Sequence, residues 1–343
     1  IIHIMSKIRS IQANPTQEEE LRKAEVEKGD LPSALSALYT RLSEAEQNFS
    51  DIDIRDTLIE IGDYFQAEGN FDRAINIYLI AYDKAGASDI KIDITLKIAL
   101  IGFKTKNLDM LKKEIEQATA LFEEGGDWER KNRFKAYEAV YFMMIRNFKQ
   151  AAHNFLDILA TFTSTELISF QDFIKYTILM SLVSLDRATI RTKVIHAPEI
   201  LSVIREMPTI QQFLDSLYKC NYKQFIKSFV EVIDLVTNDN YISQHKRYWA
   251  REMRVVAYSQ FLESYRSVTL ESMAKSFGVS IDFLDKELCE FISSGRLPCK
   301  IDRVNGVIES NRPDSRSAVY GSIVKSGDYI LNRLQKLARI MDV

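Results

Sequence analysis

A chain of 343 residues can bury a large core and hold two or three domains, and its net charge of −3 gives no general attraction to nucleic acid or to acidic membranes. Only twelve glycines and six prolines are present, which favours long helices joined by short turns. The three cysteines, Cys220, Cys289 and Cys299, lack metal-type spacing, and no run approaches the roughly 18 apolar residues of a membrane span, so structural zinc and bilayer crossing drop out.

In chain order, residues 1–15 form an N-terminal segment whose apolar residues are too broken for a signal peptide. The sequence opens on Ile1 rather than Met, so further residues are expected before it. Residues 16–205 read as helical repeats. Leu58–Ala81 has a tetratricopeptide-type spacing, with Ile61-Gly62, Phe65, Ala74, Tyr78 and Ala81 at the positions where small residues admit a neighbouring helix and aromatics fill the gap. A polar residue, then an apolar one, then a third side chain at the fifth position recurs at Asp30-Leu31-x-x-Ala34, Asn70-Phe71-x-x-Ala74, Asn107-Leu108-x-x-Leu111, Asn147-Phe148-x-x-Ala151, Ser184-Leu185-x-x-Ala188 and Asn221-Tyr222-x-x-Phe225. The successive intervals are 40, 37, 40, 37 and 37 residues, each marking the start of the second helix of a pair. Such a period predicts a right-handed superhelical solenoid. Breaks at Glu123–Asp127, Ala197-Pro198 and Met207-Pro208 fit the scheme.

Residues 206–266 are expected to be a helical module that ends in one long helix over His245–Tyr265. Its charged side chains, among them Lys246, Arg247, Arg251, Glu252 and Arg254, predict a solvated face, with an acidic partner groove as the alternative. Residues 267–311 read as a winged helix. Thr269 caps a helix carrying Leu270, Met273, Ala274 and Phe277, and Gly278 stops it. Ser280 caps a second helix with a stripe of Ile281, Leu284, Leu288, Phe291 and Ile292, closed by Gly295. The alternation Leu297, Cys299, Ile301, a type I′ turn at Asn305-Gly306 and a return over Val307–Ser310 predict a two-stranded hairpin. The would-be recognition helix carries Asp282, Asp285, Glu287 and Glu290 against Lys286, the wrong sign for a groove lined by phosphates. A free hairpin edge can instead pair with a neighbour's strand, which nominates Leu297, Cys299, Ile301, Val307 and Ile308 as interface residues.

Residues 312–343 form a C-terminal helix after a polar break. Ile323, Ile330 and Leu337 repeat every seven residues, as do Gly327, Leu334 and Met341, and Tyr320 extends the seam. Such a stripe must pack on something: the chain's own winged helix, or a multi-helix bundle with other chains. Tyr320, Ile323, Ile330, Leu334, Leu337 and Met341 are the interface residues predicted here.

No catalytic constellation is legible. His3, His153, His196 and His245 are scattered without metal-ligand spacing, no glycine-rich loop stands between a strand and a helix, and no nucleophile sits in an elbow. The expectation is a protein that is not an enzyme, with no cofactor, no metal, no nucleic-acid partner and no membrane, its thiols reduced in the cytoplasm and nucleus.

A helical solenoid leading into a winged helix and a terminal helix resembles the PCI family, named for the proteasome lid, the signalosome and a translation initiation factor complex. The strings YWAREMRVVAYSQFLESYR (Tyr248–Arg266), LPCKIDRVN (Leu297–Asn305), NRPD (Asn311–Asp314) and LNRLQKL (Leu331–Leu337) are similar to the branch of that family found in the lid of the 26S proteasome regulatory particle. The likeness runs from about Thr16 to the C-terminus, and the acidic opening that the resemblance leads one to expect before the first repeats is absent or truncated in this sequence. The resemblance implies a non-catalytic scaffold in a hetero-oligomer, standing beside other PCI subunits of the lid through its winged helix. It also implies a shared bundle of C-terminal helices, and a solenoid that reaches the ATPase ring. A signalosome scaffold subunit is the alternative within the family, and a winged-helix nucleic-acid binder or a peptide-gripping adaptor are the alternatives outside it.

Overall fold

The computed structural model describes residues 18, 20–22, 32–48, 50–125, 127–310 and 315–341, apart from the side chains of 315, 317, 318, 340 and 341. The chain divides into two units, Ile1–Val203 and Ile204–Val343. The first unit is helix upon helix: α1 (Ser33–Gln47), α2 (Asp51–Glu68), α3 (Phe71–Lys84), α4 (Ser88–Thr105), α5 (Leu108–Glu124), α6 (Trp128–Met144), α7 (Phe148–Asp157) and α8 (Phe170–Ser184). Each packs on the next, and α4 also touches α6, the adjacency of stacked helix pairs.

The repeated turn has a physical explanation. Gly69, Lys106, Arg146 and Cys220 each take left-handed backbone just past a helix, with φ of 85°, 55°, 67° and 58°. The next residue is asparagine every time, and its N–H donates back across the helix end: Asn70 to Phe65, Asn107 to Gly102, Asn147 to Phe142 and Asn221 to Ser216, at 2.8–3.1 Å. That is the Schellman closure. The same asparagine then opens the following helix. The side chains of Asn107, Asn147 and Asn221 accept from the N–H groups of Met110, Gln150 and Gln224. One residue thus ends one helix and starts the next.

Two of the six expected turns do not join this set. Asp30-Leu31 lies outside the described residues. At Ser184-Leu185 the backbone of Leu185 is extended (φ −108°, ψ 153°) and the following helix, α9 (Arg187–Ile190), begins two residues later than the spacing predicts. It runs into a π-helical turn at Arg191–Ile195 and then α10 (Pro198–Val203), so this repeat's second helix is built in pieces.

Left-handed backbone costs a non-glycine residue about 1–2 kcal/mol, partly offset by glycine's freedom in the unfolded chain. Lys106→Gly is therefore expected to stabilise the protein by about 0.5 kcal/mol in urea titrations, whereas Gly69→Ala destabilises it.

Close approach of paired helices explains two other glycines. A Cβ on Gly62 would lie 2.4 Å from the ring of Tyr78, and one on Gly102 would lie 2.9 Å from Leu111. Tyr78 is fully buried and its hydroxyl donates to Asp63 at 2.6 Å. Ion pairs then tie alternate helices together: Lys97 of α4 to Asp63 of α2 at 2.6 Å, and Arg130 and Arg133 of α6 to Asp93 of α4 at 3.1 and 3.5 Å. Glu114 sits between Leu111, Ile115 and Ala118 on the inner face of α5, and burial pushes its carboxyl up to about 7 against the pull of Lys113. A carboxyl raised on folding stabilises below its unfolded value near 4.5, and that contribution is lost as pH rises through 7. Glu114→Gln is expected to flatten the fall in stability between those pH values and to be the more stable protein at pH 8, which thermal melts at several pH values would read.

The second unit contains α11 (Pro208–Tyr218), α12 (Tyr222–Thr237), α13 (Lys246–Glu263), β1 (Ser267–Thr269), α14 (Leu270–Phe277), α15 (Ile281–Ser293), β2 (Cys299–Asp302), β3 (Val307–Ser310) and α16 (Ser315–Met341). Phe213, Phe225, Phe229 and Trp249 join α11, α12 and α13 through ring contacts of 5.2–6.1 Å. Phe277 of α14 then meets Tyr222, Tyr258 and Phe261 at 4.7, 5.0 and 5.5 Å, so the winged helix shares its core with the helices before it. The charged face of α13 is tied down rather than simply solvated. Arg254 pairs with Glu287 of α15 at 3.1 Å, Tyr258 donates to the same carboxylate at 2.7 Å, and Glu252 receives Arg296 at 2.6 Å.

The caps at Thr269 and Ser280 form as expected, and Gly278 and Gly295 are left-handed. The hairpin differs in two respects. β1 adds a third strand, giving the order β1-β3-β2 with both pairings antiparallel (Val268 opposite Ile308, Ile301 opposite Ile308). The connection after Asp302 is not a type I′ turn, which needs left-handed backbone at both central residues, because only Gly306 has it. Instead the Asp302 carboxylate accepts from the N–H groups of Val304 and Asn305, an Asx turn.

Candidate assembly interface

Strand order decides what the wing can offer. β3 is the central strand, paired on both sides, so Val307 and Ile308 have no free edge. Leu297, Cys299 and Ile308 are buried within their own unit, and Ile301 and Val307 are half-buried. These five therefore serve chiefly as core: inward-pointing strand residues lie under the helices, not at the rim. What β2 leaves available is backbone along its outer side, with Lys300 exposed and Val304 at the turn 95% exposed. Burial also pushes the Cys299 thiol up to about 11, which makes it an inert packing group.

The wing's basic residues are largely spoken for. Arg296 pairs with Glu252, and Arg303 with Asp285 at 3.1 Å. Pairing leaves the acidic α15 without a compensating basic rim for phosphates. Titration of the protein with a fluorescent DNA duplex at physiological salt is expected to show binding no tighter than the non-specific range of roughly 10⁻⁴–10⁻⁶ M.

α16 presents the opposite situation. Every described side chain from 322 to 339 is exposed, so its own chain does not cover it. Tyr320 is 71% and Leu334 62% exposed, and Ile323, Ile330 and Leu337 are similar. The side chain of Met341 lies outside the described residues. Folding back on the winged helix is thereby replaced by an open seam. The stripe is also wider than an a/d seam, because Val324 and Leu331 are exposed beside it. Their seven-residue spacing, continued by Ala338, was the available signal. An apolar arc of that width calls for more than one neighbouring helix. Among the described residues no group of three or more metal-ligating side chains comes together, and no helix is long and apolar enough to cross a membrane.

The family described as 26S proteasome subunit RPN7 matches residues 6–193, the PCI domain matches 230–312, and the RPN7/PSMD6 C-terminal helix matches 320–341. A 26S proteasome non-ATPase regulatory subunit 6 from Oryza sativa subsp. japonica is 45% identical over 316 residues, covering 92% of this chain and 81% of that protein. Its Arabidopsis thaliana homolog is 45% identical over 309 residues, covering 90% and 80%. The COP9 signalosome complex subunit 1 of Arabidopsis thaliana is more distant, 22% identical over 309 residues, covering 90% and 68%.

Proposed function

This chain belongs to the 26S proteasome subunit RPN7 family, and we propose that it is a scaffold subunit of the regulatory-particle lid, without catalysis of its own. The carrying observation is the uncovered apolar arc of α16, a surface that a protein acting alone would expose to aggregation. Other PCI subunits of the lid cover it in a shared helical bundle and line up beside the wing along β2. The helical repeats reach toward the ATPase ring. Three free thiols suit a reducing compartment, and this reading puts the chain in the cytoplasm and nucleus. Identity to the proteasome subunits at about twice the level seen with the signalosome subunit favours the lid over the signalosome.

Gentle affinity purification of the tagged full chain, followed by native mass spectrometry, tests the reading. The expected product holds one copy with the other regulatory-particle subunits. Recovery as a monomer, or with signalosome subunits, would contradict it.

A further inference from the structure

Four charged side chains join α13 to the winged helix, and they are poorly arranged for stability. Glu287 of α15 receives Arg254 of α13 at 3.1 Å, and Glu252 of α13 receives Arg296, just past the end of α15, at 2.6 Å. The two glutamate side chains are only 11% and 12% exposed. Yet Oε1 of Glu252 and Nε of Arg254 are buried with no hydrogen-bond partner among the described residues, and Arg251 approaches that oxygen no closer than 3.7 Å. Ion pairs this far from water hold a fold no better than apolar side chains of the same volume, because the charges give up their hydration.

Placement is what apolar packing does not supply. Glu252 and Arg254 are two residues apart and so project about 200° apart around α13, which lets the winged helix grip that helix on two sides. A tyrosine one turn away backs each grip: Tyr258 donates to Glu287 at 2.7 Å, and Arg296 also hydrogen-bonds Tyr248. The rings of Phe277, Tyr222, Tyr258 and Phe261 hold the same elements together, but apolar burial is non-directional and does not by itself fix the rotation of one element on another. Arg296 leads through Leu297 and Pro298 into β2 at Cys299, so its grip fixes the root of the strand whose outer side is open.

We infer that the two pairs form an orientation clamp: Glu252, Arg254, Glu287 and Arg296 are positioning residues that set the angle at which the wing presents the outer side of β2 to a neighbouring subunit, while adding little to folding stability. The inference rests on the assembly reading and names what makes the wing's edge usable in it.

Arg254→Met with Tyr258→Phe and Glu287→Leu replaces one grip by apolar side chains and leaves no hydroxyl without its acceptor. The isolated full chain is expected to melt at the temperature of the unsubstituted chain or above it. In mixed assembly the variant should lose to the unsubstituted chain for a place in the regulatory particle. Arg254→Glu with Glu287→Arg, which keeps a pair in place, should recover the incorporation that Glu287→Arg alone abolishes. Spin labels at Arg247→Cys and Val304→Cys, in chains carrying Cys220→Ala and Cys289→Ala, read the angle: one narrow distance with the clamp intact, a broadened or shifted distribution in the apolar variant. Incorporation equal to that of the unsubstituted chain, or an unchanged distance distribution, would overturn the inference. So would a much lower melting temperature, since the pairs would then merely hold the fold. Absence of the unsubstituted chain from the particle defeats the lid reading instead, and the spin-label distances still judge the clamp.

Discussion

Leu334→Asp together with Leu337→Asp is expected to abolish incorporation into the regulatory particle while the isolated chain keeps its helicity and melting temperature. Both leucines stand in water in the free chain, 62% and 55% exposed, so charge there costs the monomer little. In a bundle each would become a buried, unpaired carboxylate at about 3–5 kcal/mol. Two such penalties exceed what one helix face can return. Co-purification of the variant with lid subunits, beside circular dichroism of the variant alone, separates assembly from folding. Unchanged assembly would mean that α16 lies at the surface of the particle.

Phe213→Ala is expected to act the other way round, on folding first. Phe213 is fully buried and touches Phe225, Phe229 and Trp249 at 5.2–6.1 Å, so truncation empties the centre of the contact between α11, α12 and α13. Large-to-small changes of this kind cost about 3–5 kcal/mol. Because α12 and α13 also carry Tyr222, Tyr258 and Phe261 under Phe277, loosening this stack should loosen the winged helix as well. A urea midpoint shift, with earlier hydrogen exchange in α14, would record it. Phe213→Leu, which keeps most of the volume, should cost much less.

Legibility in the sequence followed the locality of the physics. The Asn-apolar turns were readable because helix closure and helix capping are settled within six residues: Asn107 reaches back to Gly102 and forward to Met110. The caps at Thr269 and Ser280 were readable for the same reason. β1 was not, since Ser267–Thr269 is three residues long and becomes a strand only by pairing with β3, some forty residues away. That omission changes which residues the wing can offer to a neighbour. With β3 assumed to be an edge, Ile308 looked available, whereas the third strand and the overlying helices bury it completely. The turn after Asp302 was misjudged because Asn-Gly is a type I′ signal only where no upstream carboxylate competes for the turn's N–H groups. In α16 the heptad spacing was plain, but whether its seam is covered depends on what packs against it, which no heptad count contains.

Hydrogen–deuterium exchange of residues 299–302 and 315–341, in the isolated chain and in the purified regulatory particle, tests most directly whether these surfaces exist for neighbouring subunits. A helix with no packing partner is marginal in water, so α16 should exchange rapidly alone and become strongly protected in the particle, with the outer amides of β2 following. Equal exchange of both segments in the two states would contradict the account.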